Sequence, residues 1–157
     1  LEIDIIRKKY LKNGINFLDR SFVSLSAHIY AVYKIGIADF REKHINLLNK
    51  LLNNGEIIIP NYYIFVTCNY NCVKKRFILE NEIYNKKEAP EFFINKDYFL
   101  AINEFNNLWQ GNIKNGLIIN TGQLLSKDVT ITPKNFAEKI LNNEEIILII
   151  KKIYFNN

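Results

Sequence analysis

The sequence predicts an α/β fold, a three-layer α/β/α sandwich around a mostly parallel sheet of the flavodoxin or Rossmann kind. Three observations lead there. Stretches with helical periodicity alternate with short runs rich in Ile, Val and Phe. Those runs are apolar throughout rather than alternating, which is how strands read when helices cover both faces. Neither an internal repeat nor a long linker divides residues 1–157, so a single domain is expected.

Taken in order, Ile5, Ile6, Tyr10 and Leu11 recur at helical spacing, and Gly14 stands where a C-terminal cap belongs, so residues 2–13 read as a helix. INFL is a short apolar strand, DRSFVSLSA a Ser-rich loop, and HIYAVYKIGIADF, β-branched and aromatic, a second strand. From Arg41 the period changes. Ile45, Leu48, Leu51 and Leu52 fall on one helical face, Arg41, Glu42, Asn46, Lys50 and Asn53 on the other, and Gly55 closes the segment. In EIIIPNYYIFVTCNY, Pro60 cannot donate to a central ladder, which leaves YYIFV as the core strand. CVKKRFILENEIYNKKEAPE combines the helical spacing of Val73, Phe77 and Ile78 with a basic cluster and ends in a charged loop. EFFIN reads as a strand, KDYFLAINEFNNLW as a helix and GLIIN as a strand. In TITPKNFAEKILNN, Thr132 is the N-cap and Pro133 the first helical residue. EIILIIKKIYF closes as a strand.

Composition narrows the class. A chain of 157 residues with 48% hydrophobic and 24% charged side chains has enough apolar surface for a core. It contains no uncharged apolar run long enough for a membrane span, and no membrane association is expected. The opening LEIDIIRKKYLKNG does not read as a signal peptide, because Glu2 and Asp4 precede the basic residues and no apolar region follows. With no Met, at the first position or elsewhere, the sequence predicts a processed or incomplete product. A net charge of +5 favours a polyanionic partner. Heavy use of Asn, Ile, Lys, Tyr and Phe matches AT-rich codons, as in organellar or reduced bacterial genomes. Cys68 and Cys72 have no second pair and no zinc-ligand spacing to His28 or His44, so they read as reduced, half-buried thiols.

A search for chemistry finds few signals. The turn after YYIFV reads TCNYNC, without the glycines that let backbone amides approach a phosphate. No phosphate-binding loop is present and no cofactor or small-molecule substrate is expected. GEIIIPNYYIF and APEF loosely resemble purine and uridine phosphorylases, yet the phosphate-binding Gly and Arg positions are missing. His28 and His44 read as partly buried polar residues rather than members of a Ser, His and Asp set. Asp19, at the end of INFL, resembles the first metal-binding Asp of PIN-type nucleases. Glu42, Asp39, Glu80, Glu82, Glu144 and Glu145 would have to converge with it for two-metal chemistry.

The order of segments brings in another family. YLKNGINFLDRS resembles the opening LLxAGxHFGH of the bacterial and organellar small-subunit ribosomal protein S-two family, with Gly14 and Phe17 retained, Asn16 and Asp19 at its two His positions and Leu18 at its second Gly. HIYAVYKIGIADFREKHINLL resembles YIYGxRNxIHIIDLxKTxxxL through Ile29, Tyr30, Ile35, Ile37, Asp39 and Phe40, with one residue deleted. NNGEIIIPNYYIFVT is similar to the segment leading into GxILFVGTK, interrupted by Pro60 and Asn61. NNLWQGNIKNG is similar to VNxRWLGGxLTN, with Asn107, Trp109 and Gly111 matching, Asn112 in place of the second Gly and Asn115 one position early. These blocks cover about residues 10–120. The family's long helical-hairpin insertion has no counterpart, since residues 121–157 are too few, which implies a shortened or split version.

The resemblance implies a non-catalytic structural constituent of the small ribosomal subunit, binding ribosomal RNA and neighbouring ribosomal proteins, in a mitochondrial ribosome or else in the cytoplasm of an AT-rich bacterium. Lys8, Lys9, Lys12, Arg20, Lys74, Lys75, Arg76, Lys86 and Lys87 are the candidate phosphate contacts. Trp109 and Gly111 would form a structural turn, the indole buried beneath a tight bend. Tyr33 and Phe40 are expected in the core rather than stacked on bases. The competing expectation is the PIN-like ribonuclease built on Asp19.

Overall fold

The computed structural model describes residues 2–84, 95–113, 116–120 and 141–156. Among the described residues there are six helices and two strands, in the order α1 (Glu2–Lys8), α2 (Phe22–Lys34), α3 (Arg41–Asn53), β1 (Tyr63–Thr67), α4 (Tyr70–Tyr84), α5 (Lys96–Asn112), β2 (Gly116–Asn120) and α6 (Asn143–Phe155). The fold is mixed α/β with a two-stranded parallel sheet among the described residues. The predicted strand EFFIN and the helix carrying Thr132 and Pro133 fall almost wholly outside those residues.

Where hydrophobic periodicity is strong, expectation and structure agree. Helix α3 buries Ile45, Leu48, Leu51 and Leu52 as the spacing requires. Strand β1 begins after Pro60 and pairs with β2 in parallel, Tyr63 opposite Gly116 through Thr67 opposite Asn120. A parallel pair needs a crossover, and here the crossover contains α4 and α5.

Two predicted strands are helices. HIYAVYK belongs to α2, which starts within the predicted Ser-rich loop. Ser21 caps it by accepting from the Val23 amide at 3.3 Å. Phe22, Val23, Ser26, Ala27, Tyr30 and Ala31 are buried, a stripe at spacings of one and four that only a helix places on one side. EIILIIKKIYF belongs to α6. Asn142 accepts from the Glu145 amide at 2.9 Å while Glu145 accepts from the Asn142 amide at 3.0 Å, a reciprocal capping box. The buried set is Ile146, Ile147, Ile150, Ile153 and Tyr154, again a helical stripe. In both segments tertiary burial overrides the β-propensity of Ile, Val and Tyr.

The opening differs as well. Helix α1 ends at Lys8, not at residue 13. Asn16 accepts from the Lys12 amide at 3.1 Å and donates to the Lys12 and Gly14 carbonyls at 2.8 and 3.2 Å, which diverts that backbone from the helix. Gly14 turns the loop with φ 104°, a region glycine enters without steric penalty. INFL forms no strand; Ile15 and Phe17 are exposed.

The core is an aromatic stack assembled by α2, α3, α5 and α6. Helix α5 is central, packing on α2, on α6 and on β2. Trp109 is fully buried, edge-on to Phe22 and Tyr63 at centroid distances of 6.1 and 5.7 Å and stacked with Phe105 at 6.4 Å. The predicted structural turn is therefore corrected. Trp109 and Gly111 lie in the last helical turns of α5, which runs on to Asn112, and the bend follows at Ile113. An added Cβ at Gly111 would meet open space, so no close approach requires glycine there.

Polar bonds lock this stack. The Tyr154 hydroxyl donates to the Ser26 carbonyl at 2.9 Å and lies 3.1 Å from His44 Nδ1. With the hydroxyl hydrogen committed to Ser26, Nδ1 carries the hydrogen and donates to Tyr154, leaving Nε2 as a buried acceptor that meets no donor. Burial therefore holds the His44 imidazolium down to about 4. Arg41 joins three elements: it grips Asp39 through two nitrogens at 2.9 and 2.7 Å, donates to the Tyr154 carbonyl at 2.6 Å, and covers the Tyr33 ring with its guanidinium 3.3 Å from the centroid. Tyr33 and Phe40, expected in the core, are partly exposed at this surface.

Candidate nucleic-acid interface

The candidate cations fall into two groups, each placed by a different device. The first lies along residues 7–20. Arg7, at the end of α1, donates from Nη1 to the Asp19 and Arg20 carbonyls at 2.5 and 3.0 Å, pinning the far end of the following loop against the helix. Lys8 Nζ donates to the Gly55 carbonyl and ties the same helix to the end of α3. Lys8 thus has a structural duty in addition to its charge. Lys9, Lys12 and Arg20 are exposed on the pinned segment. Arg20 adopts φ 64°, a backbone conformation that a bulky residue rarely holds, immediately before the Ser21 cap.

The same segment exposes large apolar rings. Tyr10 is 74% and Phe17 83% exposed, with Ile15 between them. Tyr10 and Phe17 are more open than the half-exposed Tyr33, Phe40 and Phe155, and interleaved with Lys9, Lys12 and Arg20 they form a surface with a cationic and a stacking component together. Sequence reasoning read Tyr10 as part of a helix face and Phe17 as strand. The usable signal was the Asn13–Gly14 turn between them, which ends helical continuation.

The second group is Lys74, Lys75 and Arg76, exposed in the first half of α4. Asn69 caps the helix by accepting from the Cys72 amide at 2.9 Å. The first turn of α4 contains no acid and the last turn no base. Cations thus sit toward the positive end of the helix dipole, opposite to the stabilising arrangement, and reinforce a positive potential there. The Tyr70 and Phe99 rings, 6.0 Å apart, join the start of α4 to α5. Lys86, Lys87 and Asn115 lie outside the described residues.

Among the described side chains, those considered for nuclease chemistry do not assemble; the side chains of Glu80 and Glu82 lie outside them. Asp19 is exposed, and no strand precedes it. Asp39 is occupied by Arg41, whose hydrogen bonds hold its carboxyl down to about 2. Glu145 serves the α6 cap. Among the described residues no three His, Cys, Asp or Glu side chains come close enough together to hold a metal ion. Cys68 and Cys72 are free and half-buried. His28 Nδ1 lies 2.7 Å from the Tyr98 hydroxyl, and burial lowers the imidazole's affinity for a proton.

Comparison of the chain with protein-family models, with curated proteins and with solved structures found no match in any of the three.

Proposed function

We propose that this protein is a non-catalytic, RNA-bound constituent of a small ribosomal subunit, in a mitochondrial ribosome, held by ribosomal RNA and neighbouring ribosomal proteins. The observation that carries the reading is the pinned segment 7–20, where exposed Tyr10 and Phe17 rings alternate with Lys9, Lys12 and Arg20. Cations neutralise phosphates and release counterions, which gives affinity that falls with salt; aromatic rings stack on unpaired bases. The likeness of YLKNGINFLDRS and NNLWQGNIKNG to the ribosomal S-two family supports the same reading. Its finer architecture, a three-layer sandwich on a mostly parallel sheet, belongs to this proposal. The parallel pairing of β1 with β2, with α5 packed against it, supports a sheet of this kind.

Sucrose-gradient sedimentation of a gentle lysate tests it. The protein is expected to travel with small ribosomal subunits and to be stripped from them by high salt. Free protein at the top of the gradient under low salt overturns the proposal.

A further inference from the structure

The middle of the β1–β2 pair, Phe65 and Ile118, together with Thr67 at the end of β1, faces a cleft of about 170 Å³ that Asn103, Asn106 and Asn107 of α5 line from the other side. Phe65 and Ile118 are register partners and form its apolar floor. Asn103, Asn106 and Asn107, at spacings of three and four, share one face of α5. The Thr67 hydroxyl donates to Asn103 Oδ1 at 3.0 Å, fixing that carboxamide. Those of Asn106 and Asn107 make no hydrogen bond to a described residue. On the buried face of α5, Phe105 and Trp109 close the core with rings. At the cleft the helix instead offers three amides, although Asn is a poor helix former and leaves the gap open.

The lining defines the ligand. It contains no charged side chain to pair an ion, so the ligand is neutral where it enters. A carboxamide presents a donor and an acceptor side by side, the complement of the N6 and N7 edge of adenine, and Phe65 supplies a face for stacking. Helix α4, with Lys74, Lys75 and Arg76, starts at Tyr70, just past the end of β1 at Thr67. A sugar-phosphate attached to a base in the cleft has these cations on the helix that leads away from it.

We propose that this cleft receives a single unstacked nucleobase, adenine in preference to uracil. The base belongs to an RNA strand if the function proposed above holds, and a free adenine nucleoside presents the same edge.

Calorimetric titration of the full chain with adenosine, short oligoadenylate and short oligouridylate tests this. The arms are the unaltered protein, Asn106→Ala/Asn107→Ala, and Lys74→Gln/Lys75→Gln. Oligoadenylate is expected to bind the unaltered protein roughly tenfold more tightly than oligouridylate, a preference of the size one bidentate amide contact gives. The asparagine variant is expected to lose that preference and keep the salt dependence, whereas the lysine variant loses part of the salt dependence and keeps the preference. Binding of adenosine alone, lost in the asparagine variant, keeps the cleft and overturns the RNA reading. RNA binding without base preference, or with a preference unchanged by the asparagine substitutions, overturns the cleft and keeps the RNA reading. No binding of any probe overturns both. Should the double variant fold poorly, Asn107→Leu, at an exposed position, carries the same comparison.

Discussion

The helical core and the segment 7–20 use the same residue types to opposite ends. In the core, Phe22, Phe105, Trp109 and Tyr154 are buried against one another, and the Tyr154 hydroxyl is bonded to the Ser26 carbonyl. In the segment, Tyr10 and Phe17 stand open to solvent while hydrogen bonds from Arg7 and Asn16 shape the backbone. Burial fixes the first region; backbone bonding fixes the second and leaves its rings available. Substitutions in the core should therefore change stability, and substitutions in the segment should change binding with stability intact.

Trp109→Ala should have the largest effect. It removes a ring packed against Phe22, Tyr63 and Phe105, and a loss of about 3–5 kcal/mol is expected for deleting a fully buried indole. Urea denaturation measures it, and a change below 1 kcal/mol would show that the stack is not the organising element.

Acid comes next. The His44 imidazole titrates near 6.5 when unfolded and near 4 in the fold. Between those values the unfolded chain binds more protons, so stability is full above the unfolded value and falls as pH drops toward 4, by at most about 3 kcal/mol. His44→Gln should flatten this part of the pH profile. An unchanged slope in that variant would assign the acid sensitivity elsewhere.

On the other side of the comparison, Phe17→Ala should leave the urea midpoint in place, because the ring is already in water. Its affinity for single-stranded RNA should fall by about 1–3 kcal/mol if one base stacks on it. Loss of stability instead of affinity would place Phe17 with the core.

The smallest effect is expected for Lys75→Gln on α4. It should lower the salt slope of single-strand binding by about 0.7 and weaken all sequences alike. A slope that does not move would remove α4 from the interface.

How far the sequence could be read depended on how each segment is buried. Helix α3 was legible because Leu48, Leu51 and Leu52 alternate with charged residues, so the period itself shows which face is inside. Helix α5 and strands β1 and β2 were legible from spacing and from Pro60 as a boundary, whereas Asn95, which caps α5, reads in the sequence as the end of EFFIN. The cations of the candidate interface were visible as charges, but their exposed rings were not, since a lone Phe reads as core until a fold leaves it outside. The stripe of Asn103, Asn106 and Asn107 was present as a polar period of three and four and went unread beside the apolar one.

Helices α2 and α6 mark the limit. Runs such as HIYAVYK and IILIIKKIYF are apolar on nearly every side, so no period separates strand from helix. For α6 the local clue existed in Asn142 and Glu145, whose spacing is that of a capping box. For α2 the decision came from α5, which offers a long apolar face that a helical stripe from Phe22 to Ala31 can cover. By itself the chain determined periodic amphipathic segments, turn positions and net charge, because these depend on neighbours in sequence. Only the assembled fold decided between helix and strand for uniformly apolar runs and between buried and open for single rings, because those choices depend on what surface another element brings to meet them.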